Sequence, residues 1–338
     1  MKSGPTFPER MASIDIGTNT ILLLIAETHH DAIKPLIDIE TVVRLGERLD
    51  QKGALSEKAM ERGVQALGKY LKECHKMEIQ KIFAVGTSAL REARNSDQFL
   101  MMVEEKLDLS IEVISGEEEA FLSYLAVARD LKETEKSILV VDVGGGSTEL
   151  VHGKGEAIHH WVSLPVGIVR FNERFLLSDP VKEEEWEAMS EEIRKQLSGF
   201  PFPKEPLSMI SIGGTGTALA SVEQGLEKFI PKKIHHFVLT REALGKQLSF
   251  YRSMSVEERK KIKGLPDSRA DVILVGGTIL YLIMEASRSP SLIVSTHGVR
   301  YGLLYNKISD SGLKKPKSYA PLETNCFKTR VTRTINRP

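Results

Sequence analysis

The chain has very little cysteine and no excess of charge of either sign. Cys74 and Cys326 are its two cysteines among 338 residues and lie far apart in the sequence, which argues against a disulfide framework and is typical of a reducing compartment. Its 46 basic residues balance 46 acidic residues, so the overall charge does not favour a nucleic-acid coat or a membrane-surface protein. An anionic substrate would have to be bound by a local cluster of groups.

Long apolar runs are also missing. No segment has the length and apolar character needed to cross a bilayer, and residues 1–10, with Pro5 and Pro8, do not resemble a signal peptide or an anchor. We therefore expect a cytoplasmic protein. Residues 311–338 are basic, with Glu323 as their one acid, and show no apolar periodicity. We expect them to form a solvated, flexible tail.

One pattern occurs twice. Residues 12–24 (ASIDIGTNTILLL) and 139–151 (LVVDVGGGSTELV) each contain an apolar strand, an aspartate, a turn of glycine and small polar residues, and a second apolar strand. A single copy is typical of an ordinary β-hairpin, but two copies indicate two halves built on one plan. Such turns let backbone N–H groups approach phosphate oxygens, while Asp15 and Asp142 could hold a cation against them.

Strands and helices alternate in both halves, which indicates the α/β class, and the hydrophobic content of 41% is sufficient for two cores. We predict a first lobe over residues 11–130, a second over 131–298, and a final helix near 299–310 that packs on the first lobe. A helix should begin near Ser56, and a buried apolar helix should occupy Ala270–Ala286, interrupted at Gly276 and Gly277. The predicted strands after the first hairpin are Ile33–Val43, Lys81–Val85, Ile111–Ile114, Ser137–Val143, Ala157–Leu164, Leu207–Ile212 and Ser291–Val294.

Several polar residues are candidates for chemistry, each with an alternative structural role. Ser115 and Glu118 fit a helix capping box, which leaves Glu119 as a candidate base toward water. Arg91 could be a solvated charge or a phosphate ligand near a helix start. Glu149 could face the cation of the second hairpin or face solvent.

Two further patterns give weaker signals. The segment Gly213–Thr217 follows a predicted strand and resembles a phosphate-binding loop, but it lacks the spacing of a P-loop or of a dinucleotide fingerprint. The histidine pairs at 29–30, 159–160 and 235–236 have no partner at metal-ligand spacing in the sequence, and we interpret them as surface residues.

Five motifs together resemble the exopolyphosphatase/guanosine pentaphosphatase (Ppx/GppA) family, in the family's order and over residues from about 12 to 308. They are DIGTNT at 15–20, GTSALR at 86–91, ISGEEEA at 114–120, DVGGGSTE at 142–149 and THGVR at 296–300. The resemblance implies two actin-like, ribonuclease-H-type lobes that flank an active-site cleft. It also implies that Glu119 is the catalytic glutamate, that Arg91 contacts phosphate, and that Asp142 and Glu149 are associated with a cation.

We therefore expect Glu119 and Arg91 to be catalytic and Mg²⁺, or another divalent cation, to lie near Asp15, Asp142 and Glu149. The resemblance also places a nucleotide-binding segment of actin-like proteins at Gly213–Thr215. The expected phosphate-binding residues are Gly17, Thr18, Asn19, Thr20, Gly144, Gly145, Gly146, Ser147, Thr148, Gly213, Gly214 and Thr215.

The resulting functional hypothesis is release of terminal phosphate from inorganic polyphosphate. Guanosine pentaphosphate is an alternative substrate, and a non-catalytic actin-fold nucleotide sensor is an alternative of another class. A sensor has no need of a base, so Glu119 together with Arg91 argues against it. The chain ends soon after the second lobe, without the C-terminal helical domains of longer family members, and we expect distributive hydrolysis by an enzyme that could form a homodimer. We expect neither nucleic-acid nor membrane partners.

Overall fold

A computed structural model describes residues 9–29, 32–131, 136–155 and 157–308 of the chain. The basic segment predicted as a flexible tail lies outside the described residues, as does His30. Within these ranges, no helix combines the length and apolar character needed to cross a membrane.

In the part of the chain that the structure describes, the first sheet contains five strands: β1 (Glu9–Ile16), β2 (Thr20–His29), β3 (Ala32–Val42), β4 (Lys81–Gly86) and β5 (Glu112–Val113). The helices beside it are α1 (Leu49–Lys52), α2 (Glu57–Lys76), α3 (Ser88–Glu92) and α4 (Ser96–Leu107). The strand order is β3-β2-β1-β4-β5. β1 and β2 pair antiparallel, as do β2 and β3, whereas β4 pairs parallel with both β1 and β5. As predicted, the helix near Ser56 begins there, because the Ser56 side chain accepts a hydrogen bond from the Ala59 amide.

The second sheet contains, within the described ranges, six strands: β6 (Ser137–Val143), β7 (Thr148–Lys154), β8 (Ala157–Leu164), β9 (Ser208–Ile212), β10 (Phe237–Thr240) and β11 (Ser291–Val294). Their order in the sheet is β10-β11-β9-β6-β7-β8. Read from β8, the series β8-β7-β6-β9-β11 repeats the order and the strand directions of the first sheet, so the duplication extends from the hairpins to the sheets. The predicted fold class is confirmed.

Helices cover both sheets, and two of them lie between the sheets. Those beside the second sheet are α6 (Ile168–Phe175), α7 (Glu183–Leu197), α8 (Gly213–Glu223), α9 (Pro231–Ile234), α10 (Arg241–Arg252), α11 (Val256–Arg259) and α12 (Ile273–Ala286). The two central helices are α5 (Gly116–Leu131) and α13 (Val299–Ile308). α13 packs on β1, β2 and β3, whereas α5 packs on α13 and on β6, β7 and β8. Side chains of both sheets and of both central helices share one apolar core. The domain boundary at residues 130 and 131 stays a prediction.

Most predicted elements were found, and two local predictions were wrong. Helix α12 runs without a break through Gly276 and Gly277; a Cβ at Gly276 would lie 2.6 Å from the Thr215 side chain, so the glycine permits close packing on α8. Gly213–Thr217 is the first turn of α8 and not a loop, with Gly213 at φ +80° as the strand turns into the helix. Cys74 lies in α2 and is fully buried.

The contact between α5 and α13 generates a prediction about stability. A Cβ at Gly302 would lie 1.9 Å from the carbonyl oxygen of Leu122, which is backbone and cannot rotate away. We expect Gly302→Ala to force the helices apart and to lower the free energy of unfolding by roughly 2–3 kcal/mol. Urea unfolding measures this change.

Gly68→Ala, in the interior of α2, is the matched control. Its new methyl group would make an ordinary 3.5 Å contact with the side chain of Leu107 at the end of α4. It should stabilise the protein by about 0.5–1 kcal/mol through helix propensity. Equal stabilities of the two variants would contradict the close packing of α5 on α13.

Candidate active site

A cavity of ≈ 110 Å³ lies where the two duplicated hairpins face each other. In both hairpins the first glycine amide donates to a carbonyl across the turn: Gly17 N to Thr20 O at 2.9 Å, and Gly144 N to Ser147 O at 2.9 Å. A Cβ at Gly145 would lie 2.8 Å from Thr18 Cβ and 2.9 Å from the Asn19 amide nitrogen. The two turns therefore touch, and only a residue without a side chain fits at this point.

Four carboxylates in this cavity form what we call the acidic cluster: Asp15, Glu119, Asp142 and Glu149. Asp15 and Asp142 occupy equivalent places near the ends of β1 and β6, since each lies two residues before the first glycine of its hairpin. Glu149 pairs with Asp142 in the β6–β7 register. Glu119 comes from the first turn of α5.

Burial and mutual repulsion raise the pKa values of the acidic cluster. Desolvation is the largest cause, followed by the charges of neighbouring carboxylates; together they raise the pKa of Asp15 to about 8 and that of Asp142 to about 7. The same causes raise the pKa of Glu149 well above its ordinary value, although Ser147 and Ser163 each donate a hydrogen bond to it. Without added positive charge, the cluster disfavours full ionisation.

Arg91 is the main counter-charge of Glu119. Arg91 Nη1 donates to Glu119 Oε2 at 2.6 Å and to the carbonyl of Ile114 at 3.0 Å. Burial raises the pKa of Glu119, and the Arg91 guanidinium opposes this shift. The predicted capping box is present, because Ser115 and Glu118 exchange hydrogen bonds between side chain and backbone. Glu118 therefore caps α5, while Glu119 points into the cavity.

Several buried polar atoms in the cavity lack partners among the described residues. They are Asp15 Oδ1 and both side-chain polar atoms of Asn19. Leaving such atoms unsatisfied is unfavourable by about 1–3 kcal/mol each. An oxygen-preferring cation and a phosphate group would supply the missing interactions.

Most of the predicted site residues line the cavity, and three do not. Arg91 lies behind Glu119, the Thr148 hydroxyl donates to the Val166 carbonyl, and Thr215 is buried against Gly276. The contact of Arg91 with phosphate stays a prediction, and so do the roles of the other site residues. The predicted residues that line the cavity are Asp15, Gly17, Thr18, Asn19, Thr20, Glu119, Asp142, Gly144, Gly145, Gly146, Ser147, Glu149, Gly213 and Gly214.

The sequence reasoning missed Arg269, Arg300 and Phe229 as lining residues. Arg269 forms a short ion pair with Glu40, and Arg300 makes two hydrogen bonds, at 2.8 and 2.9 Å, with Asp38. Arg300 lies in the THGVR motif, which was a usable signal. Arg269 and Phe229 belong to no motif, so nothing in the sequence marked them.

Ion pairs also connect the two halves. Arg44 binds Asp271 at 2.8 Å, and Arg170 binds Asp50 at 3.0 Å and Glu92 at 2.5 Å. Arg44 follows β3, and Asp50 and Glu92 lie in α1 and α3, whereas Arg170 lies in α6 and Asp271 precedes α12. These pairs therefore join segments beside the first sheet to segments beside the second sheet.

One interpretation of the histidines was wrong. His159 and His160 are exposed, as expected, but His235 is half-buried and lies beside Asp130 and His297. The sequence could not reveal this neighbourhood, because the three residues come from distant segments.

The chain resembles known proteins over most of its length. Residues 24–311 match the model of the Ppx/GppA phosphatase family. The chain is 35% identical to a bifunctional 3-dehydroquinate synthase/phosphatase of Fusobacterium nucleatum over 88% of its own length and 46% of that protein. It is 33% identical to a guanosine-5'-triphosphate,3'-diphosphate pyrophosphatase of Vibrio vulnificus over 88% of this chain and 59% of that protein. The chain thus spans about half the length of these curated relatives.

Solved structures match along nearly their whole length. A Ppx/GppA enzyme of Aquifex aeolicus is 37% identical, with a TM-score of 0.75 over 88% of this chain and 99% of that chain. An exopolyphosphatase of Cytophaga hutchinsonii is 26% identical, with a TM-score of 0.84 over 90% of this chain and 99% of that chain.

The raised pKa values generate a prediction about pH. The folded state keeps protons on Asp15 and Asp142 up to about pH 8 and about pH 7, whereas the ordinary aspartate value is 3.8. From pH 3.8 up to about pH 8 for Asp15 and about pH 7 for Asp142, the folded state binds more protons than the unfolded state. The contribution of these two groups to the free energy of unfolding therefore decreases as the pH rises through this range. A bound cation replaces the protons. We therefore expect Mg²⁺ to raise the Tm more at about pH 8 than at about pH 6.

Thermal unfolding with Mg²⁺ and with a chelator, at both pH values, measures this effect. Asp142→Asn is the control, because it removes one of the charges while nearly preserving shape. The variant should show a smaller Mg²⁺ effect and a weaker pH dependence. An Mg²⁺ shift that is the same at both pH values in the native sequence contradicts the prediction.

Proposed function

Because the chain belongs to the Ppx/GppA phosphatase family, whose members hydrolyse phosphoanhydride bonds, we propose that it releases the terminal phosphate of inorganic polyphosphate. One observation carries this proposal: the two duplicated hairpin turns, each of which begins at a glycine, face each other directly beside the acidic cluster. Such turns bind phosphate through backbone N–H groups. The carboxylates alone would repel an anion, so this pairing is suited to a phosphate chain bound together with a cation.

The residues present fit a divalent cation. Asp15, Asp142 and Glu149 offer carboxylate oxygens, which Mg²⁺ prefers, and Asp15 Oδ1 has no partner among the described residues. These three residues would hold the ion. When bound, Mg²⁺ would neutralise charge on the phosphate oxygens and on the acidic cluster.

Glu119 is the proposed base. Its carboxylate lies in the cavity and is fixed by the 2.6 Å hydrogen bond from Arg91, which favours the ionised form needed to accept a proton from water. Arg91 then acts as a positioning residue, because it holds the carboxylate at one oxygen and leaves the other for water. The hairpins hold the terminal phosphate, water attacks it, and the shortened chain departs. This reaction depends mainly on positioning and on charge stabilisation.

Guanosine pentaphosphate is a second candidate substrate. The observation that favours it is Phe229, whose ring lines the cavity and yet is 59% exposed. A flat aromatic surface beside a phosphate site can stack on a purine base. Polyphosphate has no group that would use this surface.

A direct experiment compares phosphate release from polyphosphate and from guanosine pentaphosphate, with Mg²⁺ and with a chelator. We expect turnover of polyphosphate that requires the cation. Release from neither substrate would overturn the proposal, whereas release from guanosine pentaphosphate alone would favour the second candidate.

The role of Glu119 generates a prediction about turnover. Glu119→Gln keeps the size of the side chain but removes the base, so kcat should fall by about a hundred- to ten-thousand-fold. The neighbouring variant Glu118→Gln is the matched control, since glutamine also supports a capping box and this residue does not line the cavity. Near-normal turnover of Glu119→Gln would remove Glu119 from the mechanism.

The second candidate generates its own prediction. If Phe229 stacks on a base, Phe229→Leu should raise KM for guanosine pentaphosphate by roughly ten-fold, since stacking of one base contributes about 1–3 kcal/mol. KM for polyphosphate should not change. Leucine preserves apolar contact, so an equal effect on both substrates would indicate a structural role and would count against base stacking.

A further inference from the structure

A second polar cluster lies outside the acidic cluster, at the opposite end of α5. It contains Asp130 in the last turn of α5, His235 and His236 between α9 and β10, and His297 between β11 and α13. One ligand atom each from Asp130, His235 and His297 lies within 4.8 Å of the other two. Nothing in the proposed reaction uses these side chains.

The atoms converge at distances that suit one metal ion. His235 Nε2 lies 3.2 Å from Asp130 Oδ1, and His297 Nδ1 lies 3.5 Å from the same oxygen. Ligand atoms bound tetrahedrally at about 2.0 Å from a zinc ion are separated by about 3.3 Å. Two of the three ligand-to-ligand distances are therefore already close to those of a tetrahedral site.

His297 Nδ1 provides an independent indication. It is buried and has no hydrogen-bond partner among the described residues, although Asp130 is close. The ring cannot easily turn to find another partner, because it stacks on Tyr301 with ring centroids 3.8 Å apart. A buried nitrogen fixed in this way is unfavourable unless something binds it.

The surrounding groups could orient the ligands. His236 Nε2 lies 2.8 Å from Asp130 Oδ2, which leaves Oδ1 to face the two other rings. His235 Nδ1 lies 3.2 Å from both the amide and the hydroxyl oxygen of Thr296. When His235 Nδ1 accepts a hydrogen bond from the Thr296 amide, His235 Nε2 carries the proton and donates it to Asp130. Metal binding at Nε2 would select the other tautomer, in which Nδ1 donates to the Thr296 hydroxyl. Metal-bound histidines commonly donate their second ring N–H in this manner.

We propose that Asp130, His235 and His297 form a binding site for Zn²⁺ or a similar divalent transition metal, with water completing the coordination. Two imidazoles and one carboxylate favour such a metal over Mg²⁺, which prefers oxygen ligands. The site is thus chemically distinct from the acidic cluster.

Such a site would connect the active-site cavity with the second sheet. Asp130 ends the helix that carries Glu119 at its start, and His297 follows Thr296, which lines the cavity. The ligands come from three distant segments that converge only in the folded chain. A metal bound there should stabilise the folded protein by mass action.

The test uses the whole chain after treatment with a chelator, with excess Mg²⁺ present to occupy oxygen-rich sites. Co²⁺ serves as the probe, because its visible spectrum reports coordination geometry, and Zn²⁺ is then added in competition. We expect one Co²⁺ per chain with a four-coordinate spectrum, displacement by Zn²⁺, and a higher Tm with either metal.

The variants identify the ligands. His297→Ala and His235→Ala should each weaken Co²⁺ binding at least about a hundred-fold, and His236→Ala by about ten- to a hundred-fold, because it only orients Asp130. His75→Ala removes an exposed histidine on α2 and is the matched control that should change nothing. Circular dichroism of each metal-free variant establishes that it has folded.

Two results overturn the proposal. The first is the absence of Co²⁺ binding by the folded native chain, in which case Asp130 serves only as a hydrogen-bond acceptor for the histidines. The second is Co²⁺ binding that persists in His297→Ala but disappears in Asp142→Asn, because the metal would then belong to the acidic cluster.

Discussion

The burial of four carboxylates, together with their mutual repulsion, is the constraint on which the site depends. Asp15, Glu119, Asp142 and Glu149 reach one cavity from β1, α5, β6 and β7, so both sheets and a central helix must come together to assemble it. Their raised pKa values show that this assembly opposes full ionisation. The apolar core shared by the two sheets and the two central helices offsets the penalty and keeps these charges in place. A cation bound at the proposed site would relieve the repulsion and would stabilise the ionised carboxylates.

The partly exposed ion pairs that connect the two halves are weaker interactions than the apolar core. Arg44 with Asp271, and Arg170 with Asp50, join the two halves through partly exposed ion pairs. Pairs of this kind contribute about 0–1 kcal/mol each and are screened by salt. The packing of α13 on α5, in contrast, brings the backbone of Gly302 against the backbone of Leu122, which cannot rotate away as a side chain can. The ion pairs at Arg44 and Arg170 are therefore weaker constraints on the two halves than the buried packing of α13 on α5.

The sequence predicted what local pattern encodes. The duplicated hairpins and the alternation of strands and helices predicted two halves on one plan, and the two sheets have the same strand order. The capping-box pattern assigned Ser115 and Glu118 to the start of α5, which left Glu119 as the residue available for chemistry. Long-range geometry was not accessible: Arg269 pairs with Glu40, and His235 meets His297, only because the sheets bring distant segments together. The glycines of α12 were misread as an interruption for the same reason. Gly276 allows close packing against Thr215 in α8, and Gly277 allows close packing against Leu248 in α10; helix propensity alone does not show either contact.

The two hairpins share a backbone plan but have become different in their side chains. The first presents Thr18 and Asn19, whereas the second presents Gly145 and Gly146 at the corresponding places. The reason is steric: a Cβ at Gly145 would meet Thr18, and one at Gly146 would lie 2.6 Å from the Ser88 hydroxyl. Where two turns touch, only one can retain side chains. The asymmetry thus allows the backbones of the two turns to meet at one cavity, and a symmetrical pair with Thr18-type side chains on both turns would hold the two halves apart.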